Sequence, residues 1–433
     1  MNRNRLKDRL STLICGKRAL VLGYGKEGRS TYRVLADVGG YTCLDVADSD
    51  PTALASVPTG VTVIRDDDQD ALDDYDIIFK TPGIVLPERT GLDSRIASQT
   101  DIFLGEYSAQ TIGITGTKGK STVATLLHHT LITAGRDALL AGNIGTPVFD
   151  IVGQIAPDTV IVTELSCHQL EFCRHSPATA VLLNLYEDHL DHYGTFERYI
   201  RAKSNIYRYQ SERDVLYTMP EALPVTICPK SKIRGVTKAD LPFSRFEDAD
   251  GVRLRGTHNL LNAAFVFDIC KELGVGKEAF INALRSYTPL PHRLEFIGNK
   301  NGVDYYDDSI STAVESSICA VQSVPNAGTL ILGGMDRGID YTPLVDFLLA
   351  CDLTTIIGMY ESGRRIREMY LARCSRPDSD RFIYAGDLYK AVELAREQTP
   401  PGAACILSPA AASYGEFVNF EERGDIFKKL VLE

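Results

Sequence analysis

The 433 residues are enough for about three domains, and 44% apolar with 24% charged residues is the balance of a globular chain with sizeable cores. A net charge of −11, from 46 basic and 57 acidic residues, argues against a general nucleic-acid binder, whose affinity needs a basic face. The opening MNRNRLKDRLSTLICGKRALVLGYG has no apolar core of a signal peptide, no stretch approaches ~18 apolar residues, and the ten cysteines stand singly with no C-x-x-C pair, so a cytoplasmic protein with reduced thiols and no membrane span is expected.

Arg18 to Gly23 reads as a buried strand, followed by Gly23-Tyr24-Gly25-Lys26-Glu27-Gly28 and a helical stretch to Val38. A second strand, Tyr41 to Val46, ends near Asp45 and Asp48, about 20 residues past the glycines, which is the dinucleotide fingerprint. The same glycines suit any nucleotide whose diphosphate rests on the helix start, and a tight strand-to-helix turn that binds nothing also fits. A third strand, Ile77 to Lys80, runs into Thr81-Pro82-Gly83-Ile84. Residues 1–108 are expected to form one small α/β domain.

Ile112-Gly113-Ile114-Thr115-Gly116-Thr117-Lys118-Gly119-Lys120-Ser121-Thr122 opens the next one, as an apolar run ending in glycines, a lysine and two hydroxyls. Backbone N–H groups freed by glycine can curl around phosphates, and the helix start adds its positive dipole end. Lys120 would reach the β/γ-phosphates, and Ser121 or Thr122 would offer a hydroxyl to Mg²⁺. Five residues, not four, separate Gly113 from Gly119, so the spacing departs from the strict P-loop pattern. A helix is expected from Lys120 to Ala134, with Leu126, Leu127 and Leu131 facing a core.

After the loop Gly142-Asn143-Ile144-Gly145-Thr146-Pro147, strands at 160–163 and 180–184 lead into Glu164 and into Asp188-His189. Ligands of doubly wound sheets bind at the carboxyl ends of strands, so these three are metal and phosphate candidates. Glu164 could instead be a helix-start carboxylate and Asp188 an N-cap. Thr195 to Gln210 reads as a helix, and its Lys203 is set aside as one more solvated lysine. Residues 211–255 hold short strands and loops, then Gly256-Thr257-His258-Asn259 leads into an Ala-rich helix from Asn262 to Leu273. The second domain is expected to span 109–289.

Pro289-Leu290-Pro291 reads as a linker before His292-Arg293-Leu294-Glu295. Strands near 294–296, 303–306, 329–332, 354–358, 382–384 and 404–407 alternate with helical patterns, which implies a second nucleotide-type α/β fold over 290–433.

Taken together in order and spacing, these segments resemble the Mur ligases over nearly the whole chain. The matching stretches are GITGTKGKST at 113–122, GNIGTP at 142–147, ELSCHQLE at 164–171, NLYEDHLDHY at 184–193, RAKSNIY around Lys203, GTHNLLNAA at 256–264, PHRLE at 291–295, DDSIST at 307–312, LGGMDRG at 332–338 and SPAAASYGEFVNFEERG at 408–424. The resemblance implies a Rossmann-like first domain, a central P-loop ATPase-type domain and a Rossmann-like third domain. It implies an ATP-dependent amide ligase that adds D-glutamate to UDP-N-acetylmuramoyl-L-alanine through an acyl phosphate, in cytoplasmic peptidoglycan precursor synthesis. A monomer is expected, with no nucleic-acid or membrane partner.

It also implies residue roles. Gly23, Gly25 and Gly28 would take the UDP diphosphate, Asp48 the uracil side, Thr81, Pro82 and Gly83 a substrate loop, and Asn143 the muramoyl peptide. Gly113, Thr115, Gly116, Thr117, Lys118, Gly119, Lys120, Ser121 and Thr122 would form the ATP loop, with Asn259 and Asn262 near adenine, Arg293 at the γ-phosphate and Asp308 at the ribose. Ser121, Glu164, His189 and a carbamylated Lys203 would hold two Mg²⁺ ions, with Lys120, His189 and Lys203 as the catalytic group. Arg337, Ser408 and Phe417 would surround glutamate. Two departures stand out: Lys118 replaces the family's usual Asn, and Ile310 replaces a lysine found in many members, which leaves L-glutamate open as the amino acid. An NAD(P) oxidoreductase would explain Gly23–Gly28 but not the P-loop, and a nucleotide-binding scaffold without catalysis is a further alternative.

Overall fold

The computed structural model describes residues 2–66, 68, 70–86, 92–224, 227–249, 251–254, 257–324, 326–374 and 380–433. Gly256 of the GTHNLLNAA stretch lies outside the described residues. The chain forms two compact units, 1–252 with 259–287, and 253–258 with 288–433.

The first unit holds two sheets. One comprises β1 (Arg18–Leu22), β2 (Cys43–Ala47), β3 (Val63–Ile64), β4 (Ile77–Lys80) and β5 (Ile96–Ala97), in the order β3-β2-β1-β4-β5 with every pair parallel. The other comprises β6 (Thr111–Thr115), β7 (Ala138–Gly142), β8 (Val160–Glu164), β9 (Thr179–Leu182), β10 (Val215–Thr218) and β11 (Lys232–Gly235), in the order β11-β10-β9-β6-β8-β7, again all parallel. Parallel sheets are covered on both faces, so their central strands are near-continuous apolar runs. Ala19 to Leu22 of β1 and Ile161 and Val162 of β8 are accordingly without exposed surface.

The helix Asn2–Ile14 was not anticipated from sequence. Its Leu6, Leu10 and Ile14 fall four apart, which puts them on one helix face, and all three are buried. They join a core that includes Phe103 and Tyr107 and continues through Phe149 and Ile161 into the second sheet. Strand β7 is not among the strands expected from sequence, while β10 and β11 fall in the 211–255 stretch of short strands and loops. The helix Lys120–Thr133 follows the expected bounds, with Leu126, Leu127 and Leu131 fully buried. The helix Thr257–Glu272 starts five positions before the expected Asn262.

The second unit carries β12 (Glu295–Lys300), β13 (Val303–Asp307), β14 (Ala327–Leu332), β15 (Thr355–Met359), β16 (Phe382–Gly386) and β17 (Ala404–Leu407), in the order β12-β13-β17-β14-β15-β16. Only β12 is antiparallel, closing a hairpin onto β13 over a short connection at Asn301-Gly302. Asn301 has φ 55 and Gly302 φ 81, the left-handed values a two-residue hairpin turn requires. Among the described residues no helix is long and apolar enough to cross a membrane.

Candidate active site

In the first sheet the glycine turn is shaped by close packing. Gly23 has φ 90, and a Cβ there would meet Thr81 Oγ1 at 2.0 Å; a Cβ on Gly28 would meet the Gly23 carbonyl oxygen at 2.0 Å. Gly25 differs, since a Cβ on it would have nothing within 4 Å. Two of the three glycines therefore hold the turn and the third leaves open the start of the helix Lys26–Val38. Asp48 fixes the same turn: Oδ2 accepts the Tyr24 N–H at 2.6 Å, and Oδ1 accepts the Asp50 N–H at 2.8 Å. The Thr81 hydroxyl donates to the Leu22 carbonyl at 3.0 Å, and Pro82-Gly83 turn away after β4.

The second glycine loop begins later than the sequence suggested. Gly113 sits inside β6, paired to β8 and β9, and a Cβ there would meet Pro177 Cγ at 2.6 Å. It packs inside the sheet, so the glycines of the turn itself are Gly116 and Gly119, with Thr117 and Lys118 between them. Thr115 is likewise a strand residue whose hydroxyl donates to the Leu165 carbonyl at 2.7 Å, so only its backbone is left to face a nucleotide. The loop proper is Gly116-Thr117-Lys118-Gly119. Gly119 is left-handed (φ 88) and lies against Asn262, whose Oδ1 would be 2.6 Å from a Cβ there. Asn262 in turn donates to Asn259 Oδ1 at 2.9 Å, both being buried.

Asn184, at the end of β9, clamps the loop. Its Oδ1 accepts the Lys118 N–H at 2.8 Å, its Nδ2 donates to the Lys118 carbonyl at 3.0 Å, and its carbonyl accepts the Thr117 N–H at 3.0 Å. The Thr117 side chain accepts the Tyr186 N–H at 2.9 Å and lies 2.9 Å from the Tyr199 hydroxyl. Ser121 and Thr122 are buried in the first turn of the helix. Lys118 Nζ faces Asp188 Oδ2 at 3.9 Å, and Asp188 Oδ1 accepts the His189 N–H at 3.0 Å. His189 is not a buried structural histidine: its φ is 55 and its side chain is 45% exposed.

Lys203 overturns its reading as a solvated lysine. The helix Phe196–Arg208 buries Tyr199, Ala202, Lys203, Ile206 and Tyr207, and the lysine falls on that stripe, four residues past Tyr199. The helical phase was the missed signal. Only 1% of Lys203 is exposed, and its Nζ donates to the Gly116 carbonyl at 2.8 Å. Lys120 Nζ donates to that same carbonyl at 3.0 Å. Burial, followed by repulsion from Lys120, pulls the Lys203 amine down to about 7.

Glu164 ends β8 beside these lysines. Its Oε1 accepts Asn143 Nδ2 at 2.7 Å, and the Asn143 N–H donates to the Glu164 carbonyl at 2.8 Å. Its Oε2 is buried with no hydrogen-bond partner. A desolvated carboxylate oxygen left unmatched is costly, and a hard cation with oxygen ligands would satisfy it. Glu164 Oε2 therefore fits a ligand oxygen of a divalent ion.

Several polar residues to which the sequence assigns no role join the Gly23–Gly28 turn and β4 to the second sheet's segments 142–147 and 164–193. Lys26 Nζ donates to the Gly145 carbonyl at 2.5 Å, and Gln169 Nε2 donates to Glu27 Oε2 at 3.1 Å. Burial raises the Glu27 carboxyl to about 7. Lys80, nearly buried, faces Glu171 Oε2 at 3.6 Å, and His192 Nε2 lies 3.3 Å from that oxygen. His168 packs on His192 and His189, with ring centroids at 4.4 and 4.8 Å, and burial, then its neighbouring histidines, push it down to about 3. Lys80 was readable as a strand-end residue; the others carry no local signal.

The second unit holds the remaining predicted residues at its strand ends. Asp308 is buried, accepting the Leu294 N–H at 3.0 Å and the Ser408 hydroxyl at 2.7 Å, and burial raises its carboxyl to about 6. Arg293 lies close enough to counter that rise. Ser408 has no exposed surface and also meets Ser317 Oγ at 2.9 Å, so its hydroxyl is held between Asp308 and Ser317. Arg337 is exposed, and Phe417 is half-buried against Tyr360 with centroids 6.0 Å apart. Arg423, which the sequence reading did not single out, is fully buried and donates to Ser309 Oγ, the Ser309 carbonyl and the Ala411 carbonyl. His292, Glu295 and Asp307 could group around a metal, but Lys428 Nζ lies 2.7 Å from Glu295 Oε2 and supplies the positive charge there.

Residues 114–222 match the Mur ligase middle domain family. A UDP-N-acetylmuramoylalanine–D-glutamate ligase of Geobacillus kaustophilus is 30% identical over 445 residues, covering 95% of this chain and 96% of that protein. A UDP-N-acetylmuramoyl-L-alanine–L-glutamate ligase of Salinispora tropica is 31% identical over 447 residues, covering 96% of this chain and 97% of that one. The crystal structure of a MurF ligase from Thermotoga maritima in complex with ADP shares the fold at a TM-score of 0.60 and 17% identity, over 98% of this chain and 96% of that one.

Proposed function

The chain belongs to the Mur ligase family, and from that premise we propose that it uses ATP to join D-glutamate to UDP-N-acetylmuramoyl-L-alanine, in the cytoplasmic assembly of peptidoglycan precursors. One observation carries the catalytic half of this reading: the glycine loop, two lysines on one carbonyl, Lys203 buried and Lys120 partly so, and the unmatched Glu164 oxygen converge at the ends of β6, β8 and β9. In this reading residues 1–108 take the UDP-sugar, 109–289 the ATP and 290–433 the amino acid, within a single chain acting as a monomer. The Gly23–Gly28 turn then serves a UDP diphosphate and not a nicotinamide dinucleotide.

A carboxylate is a poor acyl donor. Its oxygen attacks the γ-phosphorus of ATP, giving an acyl phosphate and ADP; the glutamate amine then attacks the acyl carbon, loses a proton, and phosphate leaves with the C–O bonding pair. The start of the helix Lys120–Thr133 and the Lys120 ammonium would hold the phosphates in line, with the Thr117 and Lys118 N–H groups spent on Asn184 to fix the loop, and most of the rate gain comes from that positioning and charge neutralisation. Ser121, Glu164 and His189 would hold Mg²⁺, with a carbamate on Lys203 supporting a second ion. Magnesium supplies charge neutralisation on the transferring phosphoryl group. Lys203, held near 7, is partly a neutral amine at neutral pH, the form that combines with CO₂. Asn143, already fixed by Glu164, would orient the acyl-alanine end; Asn259 and Asn262 would border adenine, and Arg293 and Asp308 the γ-phosphate and ribose.

L-glutamate is the second reading, favoured by Ile310 in place of a lysine and by the similarity to the L-glutamate ligase. Phosphate release with UDP-N-acetylmuramoyl-L-alanine, ATP and Mg²⁺ decides among these, comparing the two glutamate enantiomers. Release with D-glutamate is expected. Release with L-glutamate alone replaces the stereochemical half, and none with either sinks the ligase assignment.

A further inference from the structure

We propose that Arg365 is a positioning residue that masks the Asp336 carboxylate, and so leaves Arg337 available to bind a carboxylate of the incoming acidic amino acid. This rests on the ligase reading above. The loop after β14 is fastened to the helix Tyr360–Leu371 at two points. Ser362 Oγ accepts the Gly334 N–H at 2.8 Å and donates to the Gly334 carbonyl at 3.0 Å. One turn on, Arg365 Nη1 donates to both Asp336 oxygens, at 2.9 and 3.2 Å. Its guanidinium lies 5.3 Å from the ring centroid of Tyr341, a buried residue at the far end of the same loop. Asp336 Oδ1 also accepts the Gly338 N–H at 2.9 Å, so the residues on both sides of Arg337 are fixed.

Arg337 itself is exposed and makes no hydrogen bond or ion pair among the described residues. Its neighbour in sequence, Asp336, is a carboxylate one residue away, and both charges act on the Tyr341 hydroxyl. Pairing Asp336 with Arg365 removes that competitor and leaves a planar, five-donor group suited to a free carboxylate. The role matters more in this chain because Ile310 brings no charge where many family members carry a lysine.

Steady-state kinetics with the accepted glutamate enantiomer test the idea. Arg365→Gln should raise the KM for glutamate about tenfold while the KM for ATP changes less than about twofold. The double variant Asp336→Asn/Arg365→Gln should return the glutamate KM toward wild type, because no carboxylate remains to quench Arg337. A merely structural role for Arg365 gives no such recovery. An unchanged glutamate KM in Arg365→Gln, or a double variant no better than the single, overturns the proposal. Arg337→Ala separates the layers. If it raises the glutamate KM while Arg365→Gln does not, only the masking fails; if it has no effect, the assignment of Arg337 fails and the masking with it. Loss of phosphate release in the wild type would instead overturn the ligase reading.

Discussion

The first unit contains two strand–glycine–helix turns that differ in what surrounds the helix start. The turn at Gly23–Gly28 has Glu27 in the first helical turn, with a carboxyl raised to about 7 by burial. The turn at Gly116–Gly119 leads into Lys120 and Ser121, with no acidic residue in the first turn and Lys203 donating to the loop from behind. Both backbones offer N–H groups to an anion; the side chains set the charge each can hold. A turn whose own lysine, Lys26, is bonded to the Gly145 carbonyl outside it suits a diphosphate bound whole, while two ammonium groups on the loop's own Gly116 carbonyl suit a phosphoryl group that must be moved. Backbone geometry names an anion site, and only the neighbouring side chains separate binding from transfer.

The largest test of that contrast is Lys120→Ala, which should lower kcat in the phosphate-release assay by about 10²–10³-fold, the usual cost of removing a donor to developing charge. Retained turnover would dissolve the distinction between the two turns. Lys203→Ala should also be inactive, with partial recovery when acetate or formate is added at millimolar levels, since a small carboxylate can stand where the carbamate would. Full activity without any additive rules the carbamate out.

The glycines give a smaller and cleaner pair. Gly28→Ala places a methyl about 2 Å from the Gly23 carbonyl and should lower the melting temperature, because the turn must open. Gly25→Ala meets no protein atom, so it should leave the melting temperature unchanged and raise the KM for the UDP-sugar. Equal effects on both measurements would mean that Gly25 is structural too.

The smallest effect concerns Glu27. Its carboxyl is raised from 4.5 to about 7, so the protonated form is favoured in the folded state. Stability from that preference is fully present below about pH 4.5 and is lost as pH rises through 7. Glu27→Gln should therefore melt above wild type at pH 8 and lose that advantage as the pH is lowered toward 4.5. The opposite trend would show that ionised Glu27 is well compensated by Lys80 and Gln169.

Much of this was legible in the sequence where periodicity and glycine placement act locally. The strand end carrying Glu164, the helix from Lys120 and the glycine turns all follow from such patterns, whereas Asp188 lies six residues beyond the end of β9. Lys203 was discarded because composition treats lysine as a surface residue, although its helical phase put it on the buried stripe. Gly113 was counted as a loop glycine because nothing local shows that Pro177, distant in sequence, packs where its side chain would be. Ser408 and Arg423 have the same origin: their partners, Asp308, Ser309 and Ala411, come together only through the sheet order of the second unit. The helix Asn2–Ile14 was overlooked because its charged residues obscured the Leu6, Leu10, Ile14 spacing.

The unbroken core from Leu6 through Phe103 to Ile161 has a consequence for how the chain melts. Side chains from both sheets of the first unit share one apolar interior, so the two sheets should lose structure in a single cooperative step. Cutting the chain after residue 108 would bare the faces of Leu10, Phe103 and Tyr107 to water, and the shorter piece would aggregate instead of folding by itself.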